Sequence, residues 1–287
     1  MSLRINTNVD AIDVQRNMQL TSTAYSASVR KLSSGLRINS AADDAAGLAI
    51  SQKLTGEING LGQAQRNAQD GISLIQTGEG ALNETQTILQ RMNELAVQAS
   101  NGTLNTEDES AIAGELKQLQ GAMDDISNQT QFNGINLLGT AAATQQTVTL
   151  QVGANANETL SVTLKNMGSG FVGSVAGATT LSAAISAFST TTSQANATTL
   201  LTSIQQAISD VSAQRAAFGA SQNRLQDTID NLGVGQENMQ ASNSRIKDVD
   251  MAAEMVNFTK LGILAQAGTS ILSQANQSSQ GVLSLLR

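Results

Sequence analysis

Cysteine, histidine, proline and tryptophan are all missing from this 287-residue chain. Without cysteine there is no disulfide, no thiol nucleophile and no thiolate metal site. Without histidine the commonest general base and the commonest metal ligand are gone. Without proline no residue obliges a helix to break, where a typical chain carries roughly 5%. Aromatic residues are only 2% of the chain, so the large buried areas that they bring to globular cores are lacking. Leu, Ile, Val, Met and Ala must do the packing, which suits long thin helix bundles. The net charge of -7 disfavours a counterion-release grip on nucleic acid. No apolar run approaches the ~20 residues needed to span a bilayer. The opening residues Met1-Ser2-Leu3-Arg4-Ile5-Asn6-Thr7-Asn8 hold no hydrophobic core segment, so no cleavable secretory signal is expected.

What is present is helical periodicity. From Leu61 the sevens run Ala68, Ile75, Leu82, Leu89 and Ala96. Ala64, Gly71, Gly78, Thr85, Met92 and Ala99 form an interleaved, mostly small row, and Leu74, Ala81, Ile88 and Leu95 a third. A two-stranded coiled coil needs two rows, so three imply several partner helices, with the small row allowing close approach. Length allows one or two domains.

The other segments supply the partners. Residues 3–35 carry Ile5, Val9, Ile12 and Leu20 near a 3.6 spacing, a narrow stripe that needs a partner. Gly35 and Asn39 read as stops, with Ser40 capping a new helix whose first turn holds Asp43 and Asp44. Asn101-Gly102 ends the long helix, and Thr106 with Glu109 makes a capping box for a returning antiparallel helix through Ile112, Leu116, Leu119, Met123 and Ile126. Asn133-Gly134 signals a turn. Residues 147–152 and 159–164 alternate with period two and predict a β-hairpin. Residues 165–195 are rich in Gly, Ala, Ser and Thr and are expected to form a short surface excursion. Leu201, Ile204, Ile208, Val211, Phe218, Leu225, Ile229, Leu232 and Met239 continue one three-four pattern, with polar Arg215, Gln222 and Gln236 in the same seam. Past Ser244 the register slips, and a last stripe holds Val256, Ile263, Leu264, Gly268, Ile271, Ala275, Val282 and Leu285. Stripes at the two ends of one chain are most simply buried against each other and then against other subunits. The expected fold is mainly α: a long antiparallel coiled-coil or helix-bundle rod with a small β-hairpin and paired terminal helices. Residues 1–43 with 245–287 would form a terminal domain, and 44–244 the rod.

Catalysis finds little foothold. Asp43-Asp44 and Asp124-Asp125 are sequence neighbours, which diverge by about 100° on a helix and cannot face each other. Asp248 and Asp250 are read with them as solvated or capping groups. Gly60-Leu61-Gly62 and Gly78-Glu79-Gly80 lack the strand-loop-helix setting of a phosphate loop. No serine can have a histidine partner. No enzyme, cofactor or metal is expected.

Leu32-Ser33-Ser34-Gly35-Leu36-Arg37-Ile38-Asn39, followed by Ala41-Ala42-Asp43-Asp44-Ala45-Ala46-Gly47-Leu48, resembles the N-terminal signature of bacterial flagellins. Residues 90–98 (QRMNELAVQ) and 129–134 (QTQFNG) are similar to two further flagellin motifs. Gln274-Ala275-Asn276-Gln277 and Val282-Leu283-Ser284-Leu285-Leu286-Arg287 resemble the flagellin C-terminus. The resemblance covers about 1–140 and 195–287. It implies a minimal flagellin without large outer domains, whose terminal helices form the inner tube of a helical homopolymer, the extracellular flagellar filament. Ile5, Val9, Ile12, Leu264, Ile271, Val282, Leu285 and Leu286 are then the expected polymerisation contacts. The resemblance further implies export of the unfolded chain through the flagellar type III apparatus, a cytosolic export chaperone on the C-terminal segment, and assembly with filament cap and junction proteins. In flagellins sensed by the animal Toll-like receptor for flagellin, an Arg, a Leu and a Glu form the core contact, and these match Arg91, Leu95 and Glu115. The alternative is a hook–filament junction protein, which shares the end helices and the rod; the Ala-Asn-Gln…Leu-Leu-Arg ending favours the filament subunit.

Overall fold

The computed structural model describes residues 8–139, 146–170, 172–173, 180–191 and 193–285, with side chains described as far as residue 277. Its helices are α1 (Val9–Ser34), α2 (Ala45–Ala99), α3 (Thr106–Gln129), α4 (Leu181–Thr190), α5 (Gln194–Lys247) and α6 (Met251–Leu285). Two small antiparallel hairpins stand between α3 and α4: β1 (Gln131–Phe132) with β2 (Ile135–Asn136), and β3 (Gln146–Gln151) with β4 (Thr159–Leu164). Two compact units divide the chain, residues 1–58 with 237–287 and residues 59–236. Their boundaries fall inside α2 and α5. Ser51 Oγ donates to Asn243 Oδ1 at 2.7 Å, and Asn243 Nδ2 to Thr55 Oγ1 at 3.2 Å. These bonds tie the first turns of α2 to the last turns of α5 inside the terminal unit.

In the larger unit all three rows of α2 serve the core. Ala68, Ile75, Leu82, Leu89 and Ala96 are buried, as are Leu74 and Leu95 of the third row, and Leu116 and Met123 of α3 pack in the same core. The small row admits what a side chain would exclude. A Cβ on Gly71 would collide with the side chain of Leu150 in β3, and one on Gly78 would lie 2.8 Å from the Phe218 ring of α5. Hairpin and helix therefore enter α2 where its side chains are smallest. The β3–β4 register runs from Gln146 opposite Leu164 to Gln151 opposite Thr159, and Leu160, Val162 and Leu164 point into the core. In the polar seam of α5 the residue that locks the hairpin is Gln214, not Arg215, Gln222 or Gln236. Gln214 is buried and donates from Nε2 to the Thr163 carbonyl at 2.9 Å. Arg215 instead reaches Gln86 Oε1 at 2.6 Å near the surface.

Three local expectations change. The excursion at 165–195 is no surface loop: Met167, Val172, Leu181, Ala184, Ile185 and Phe188 all belong to the core. Leu181, Ile185 and Phe188 form a short helical stripe that the small polar composition around it concealed. Asn105, not Thr106, caps α3. Its backbone is extended and its Oδ1 accepts from the Asp108 N–H at 2.7 Å, while Glu107, Asp108 and Glu109 occupy the first turn, where the helix dipole favours them. Asp44, not Ser40, starts α2, accepting from the Gly47 N–H at 2.9 Å. Asp43 stays outside the helix and closes the preceding loop onto the N–H groups of Asn39 and Ser40 at 3.1 and 2.9 Å. A carboxylate takes these amides in preference to a neutral hydroxyl because the charge-assisted bond is stronger.

Gly35 ends α1 as anticipated. At φ 71° it adopts the left-handed conformation that glycine tolerates, and its N–H reaches the Lys31 carbonyl at 2.9 Å. The next residues run along the α5–α6 break: Leu36 bridges Asp248, Arg37 N–H donates to Lys247 O at 2.7 Å, and Arg37 Nη2 to Ile246 O at 2.6 Å.

Candidate assembly surface

Within the terminal unit, α1 and α6 pair antiparallel. Asn8, which caps α1, donates from Nδ2 to the Ala275 carbonyl at 3.1 Å. Met18 faces Gly268, and the rings of Tyr25 and Phe258 stack with centroids 4.8 Å apart at 26°. Ser28 Oγ donates to Glu254 Oε1 at 2.5 Å. That bond is the main reason the Glu254 carboxyl is held below the ordinary glutamate value; burial is the next effect and opposes it, and Asn257 Nδ2 and the Lys31 charge add smaller lowering contributions.

The pairing leaves most apolar surface unspent. Among the described side chains of α1 and α6 only Ser28 is fully buried. Of the expected contacts, Val9, Ile12, Leu264 and Ile271 are all exposed. Ile5 and Leu286 lie outside the described residues, as do the side chains of Val282 and Leu285. Leu20, Val256 and Ile263, which the sequence placed on the same stripes, are exposed too, Val256 by 72% and Ile263 by 62%, and the structure adds Val29 on α1 and Met251 and Met255 on α6. Val29, Met251 and Met255 lie outside the stripes read from the sequence, and which apolar residues stay outward is set by tertiary contact. A groove of about 840 Å³ runs along the helix pair, lined by Met18, Tyr25 and Phe258 and by neutral Gln, Ser and Thr side chains, with the exposed Ile263 at its edge. Exposed apolar residues rimmed by polar ones mark protein–protein interaction sites. Such surface can recognise more helix.

On the other unit, Arg91 and Glu115 meet. Arg91 Nη2 and Nε lie 2.9 and 3.1 Å from Glu115 Oε1, and Nη1 lies 3.1 Å from Glu94 Oε2. The Glu115 bond, with that of Glu94, raises the Arg91 guanidinium above its ordinary value. Leu95, expected on the same face, is only 3% exposed and packs inward. Four residues past Arg91 it lies one row round the helix, on the flank of the core. Among the described residues no cluster of three or more acidic side chains is placed to hold a metal ion, and no helix is long and apolar enough to cross a membrane.

Residues 5–144 match the family model of the bacterial flagellin N-terminal helical region, and residues 201–286 that of the bacterial flagellin C-terminal helical region. The chain belongs to the bacterial flagellin family. It is 46% identical over 304 residues to the flagellin of Bacillus subtilis, covering 99% of this chain and all of that protein. It is 47% identical over 283 residues to the flagellin of Halalkalibacterium halodurans, with 99% of each covered. A solved structure described as that of a flagellar hook-associated protein from Vibrio parahaemolyticus superposes with a TM-score of 0.62 at 18% identity, over 72% of this chain and 100% of that one, a likeness of fold alone. This flagellin is a structural subunit of the flagellar filament and not an enzyme, and its relatives imply that it polymerises with itself.

Proposed function

We propose that this flagellin polymerises by burying the outward apolar rows of α1 and α6 against the same helices of neighbouring subunits, so that the terminal unit forms the inner tube of an extracellular filament. The polymerisation contacts are Ile5, Val9, Ile12, Leu264, Ile271, Val282, Leu285 and Leu286. The observation that carries this reading is a helix pair in which, among the described side chains, Ser28 alone is fully buried. Such a pair gains little hydrophobic stabilisation against the cost of ordering its backbone, and neighbouring copies supply the missing partner. The same deficit suits passage of the unfolded chain through the flagellar type III apparatus, with an export chaperone on the C-terminal segment, cap proteins at the growing tip and junction proteins at the base. Sheared filament seeds added to purified monomer and viewed by negative-stain electron microscopy test it. Long extensions support the filament reading; short caps without further growth assign the chain to the hook–filament junction; no association overturns both.

For the animal Toll-like receptor for flagellin, Arg91 and Glu115 present the polar contact while Leu95 supports α2 from beneath. Arg91→Ala and Glu115→Ala should then weaken receptor binding with thermal stability nearly unchanged, since an exposed ion pair contributes about 0–1 kcal/mol. Undiminished binding by both variants would remove these residues from the contact.

A further inference from the structure

Three Asn-Gly pairs occur in the chain, Asn59-Gly60, Asn101-Gly102 and Asn133-Gly134. Each could lose ammonia. The glycine nitrogen attacks the asparagine Cγ, the Cγ–Nδ2 bond breaks, and ammonia departs with the proton that the glycine nitrogen gives up. The five-membered succinimide that remains is opened by water to aspartate or isoaspartate. Closure of the ring requires the asparagine Cα–C bond to rotate until the glycine nitrogen comes over Cγ. A backbone held in regular hydrogen-bonded structure resists that rotation.

The three pairs sit in different backbones. Asn59-Gly60 lies inside α2, where Gly60 N–H belongs to the helical ladder, and Ala154 of the β3–β4 turn packs against Gly60 so closely that a Cβ there would lie 2.9 Å away. Asn133-Gly134 forms the two-residue turn between β1 and β2, both residues left-handed at φ 49° and 79°, with Phe132 paired to Ile135 on either side. Asn101-Gly102 opens the connection from α2 to α3. Asn101 is exposed, and neither its side-chain amide nor the Gly102 N–H has a hydrogen-bond partner among the described residues. Nothing lies within 4 Å of the space that a Gly102 Cβ would fill, and the same holds at Gly134, so these two turns differ in their backbone pairing and not in room. The Asn101 N–H still reaches the Gln98 carbonyl at 3.1 Å, but past it, among the described residues, the turn is closed by Leu104 N–H on the Asn101 carbonyl at 3.5 Å, beyond the usual 2.7–3.2 Å range, so the Asn101 Cα–C bond is weakly held.

We propose that Asn101 is the deamidation site of the folded chain, selected from three identical dipeptides by its backbone freedom. Conversion adds one negative charge to the turn that leads into α3, and the isoaspartate product also inserts a methylene into the main chain there. The aspartate product leaves α3 intact, because negative charge near a helix N-terminus is tolerated and Asn105 still supplies the cap.

The test is to incubate the full chain at mildly alkaline pH, folded and in denaturant, and to follow amide-to-acid conversion at each asparagine by mass spectrometry of tryptic peptides. In the folded chain Asn101 should convert at least about tenfold faster than Asn59 or Asn133, the ratio imposed by a local opening cost of about 1.4 kcal/mol. In denaturant the three rates should converge, and Gly102→Ala should slow conversion at Asn101 alone. Folded-state conversion at Asn59 or Asn133 equal to that at Asn101 overturns the proposal. So does an Asn101 that folding protects as fully as the other two.

Discussion

Replacing Ile263 by serine separates the assembly role of the outward row from any role in folding. Ile263 keeps 62% of its surface exposed in the single chain. Full burial of an isoleucine is worth ~1.5–3 kcal/mol, so covering the exposed part on assembly contributes about 1–2 kcal/mol per subunit. At 1.4 kcal/mol per factor of ten, Ile263→Ser should raise the critical concentration for filament growth about five- to thirtyfold. Val256→Ser, seven residues and about 10 Å along the same helix, should multiply the effect, because sites that far apart act nearly additively. The monomer should be almost indifferent, as exposed substitutions usually shift stability within about 0.5 kcal/mol. The assay pellets seeded filaments and measures the protein left in the supernatant. Tyr25, the single tyrosine of a chain without tryptophan, gives an emission that reports on the terminal unit alone and verifies its fold. Ile263→Leu should restore growth. Unchanged critical concentration in a correctly folded Ile263→Ser chain refutes the argument.

Other outcomes follow from the contacts described. The Glu254 carboxyl titrates below the ordinary glutamate value chiefly through its Ser28 bond. Its stabilisation of the α1–α6 pair is therefore complete above the ordinary value and lost as pH falls through the lowered one. Acid titration followed by tyrosine emission should show that loss in the parent chain and lack it in Glu254→Gln. Asn105→Ala should destabilise α3 by about 1 kcal/mol, as loss of an N-cap does, and Thr106→Ala by much less; thermal unfolding in which Thr106 matters more would place the cap elsewhere. Phe188 is fully buried, so Phe188→Ala should cost about 3–5 kcal/mol in denaturant unfolding of the larger unit. A loss below 1 kcal/mol would return α4 to the surface.

By itself the sequence determined the helical architecture, the β3–β4 hairpin and the family. These are written in local periodicity: rows of seven along α2, alternation in residues 147–152 and 159–164, a proline-free chain and short motifs that survive without reference to neighbours. Gly35 was legible as a helix stop for the same local reason, the left-handed backbone that glycine alone adopts cheaply. Tertiary structure decided whatever depends on which neighbour arrives. Asn105 and Asp44 won their caps over Thr106 and Ser40 by where the backbone turned, a margin too small for spacing to register. Leu181, Ile185 and Phe188 joined the core because a cleft was there to receive them. Leu95 turned inward while Arg91, four residues earlier, reached Glu115 across to α3. On α6 the apolar residues are alike in sequence; only their pairing with α1 separates those that α1 covers from Val256 and Ile263, which it leaves for another subunit.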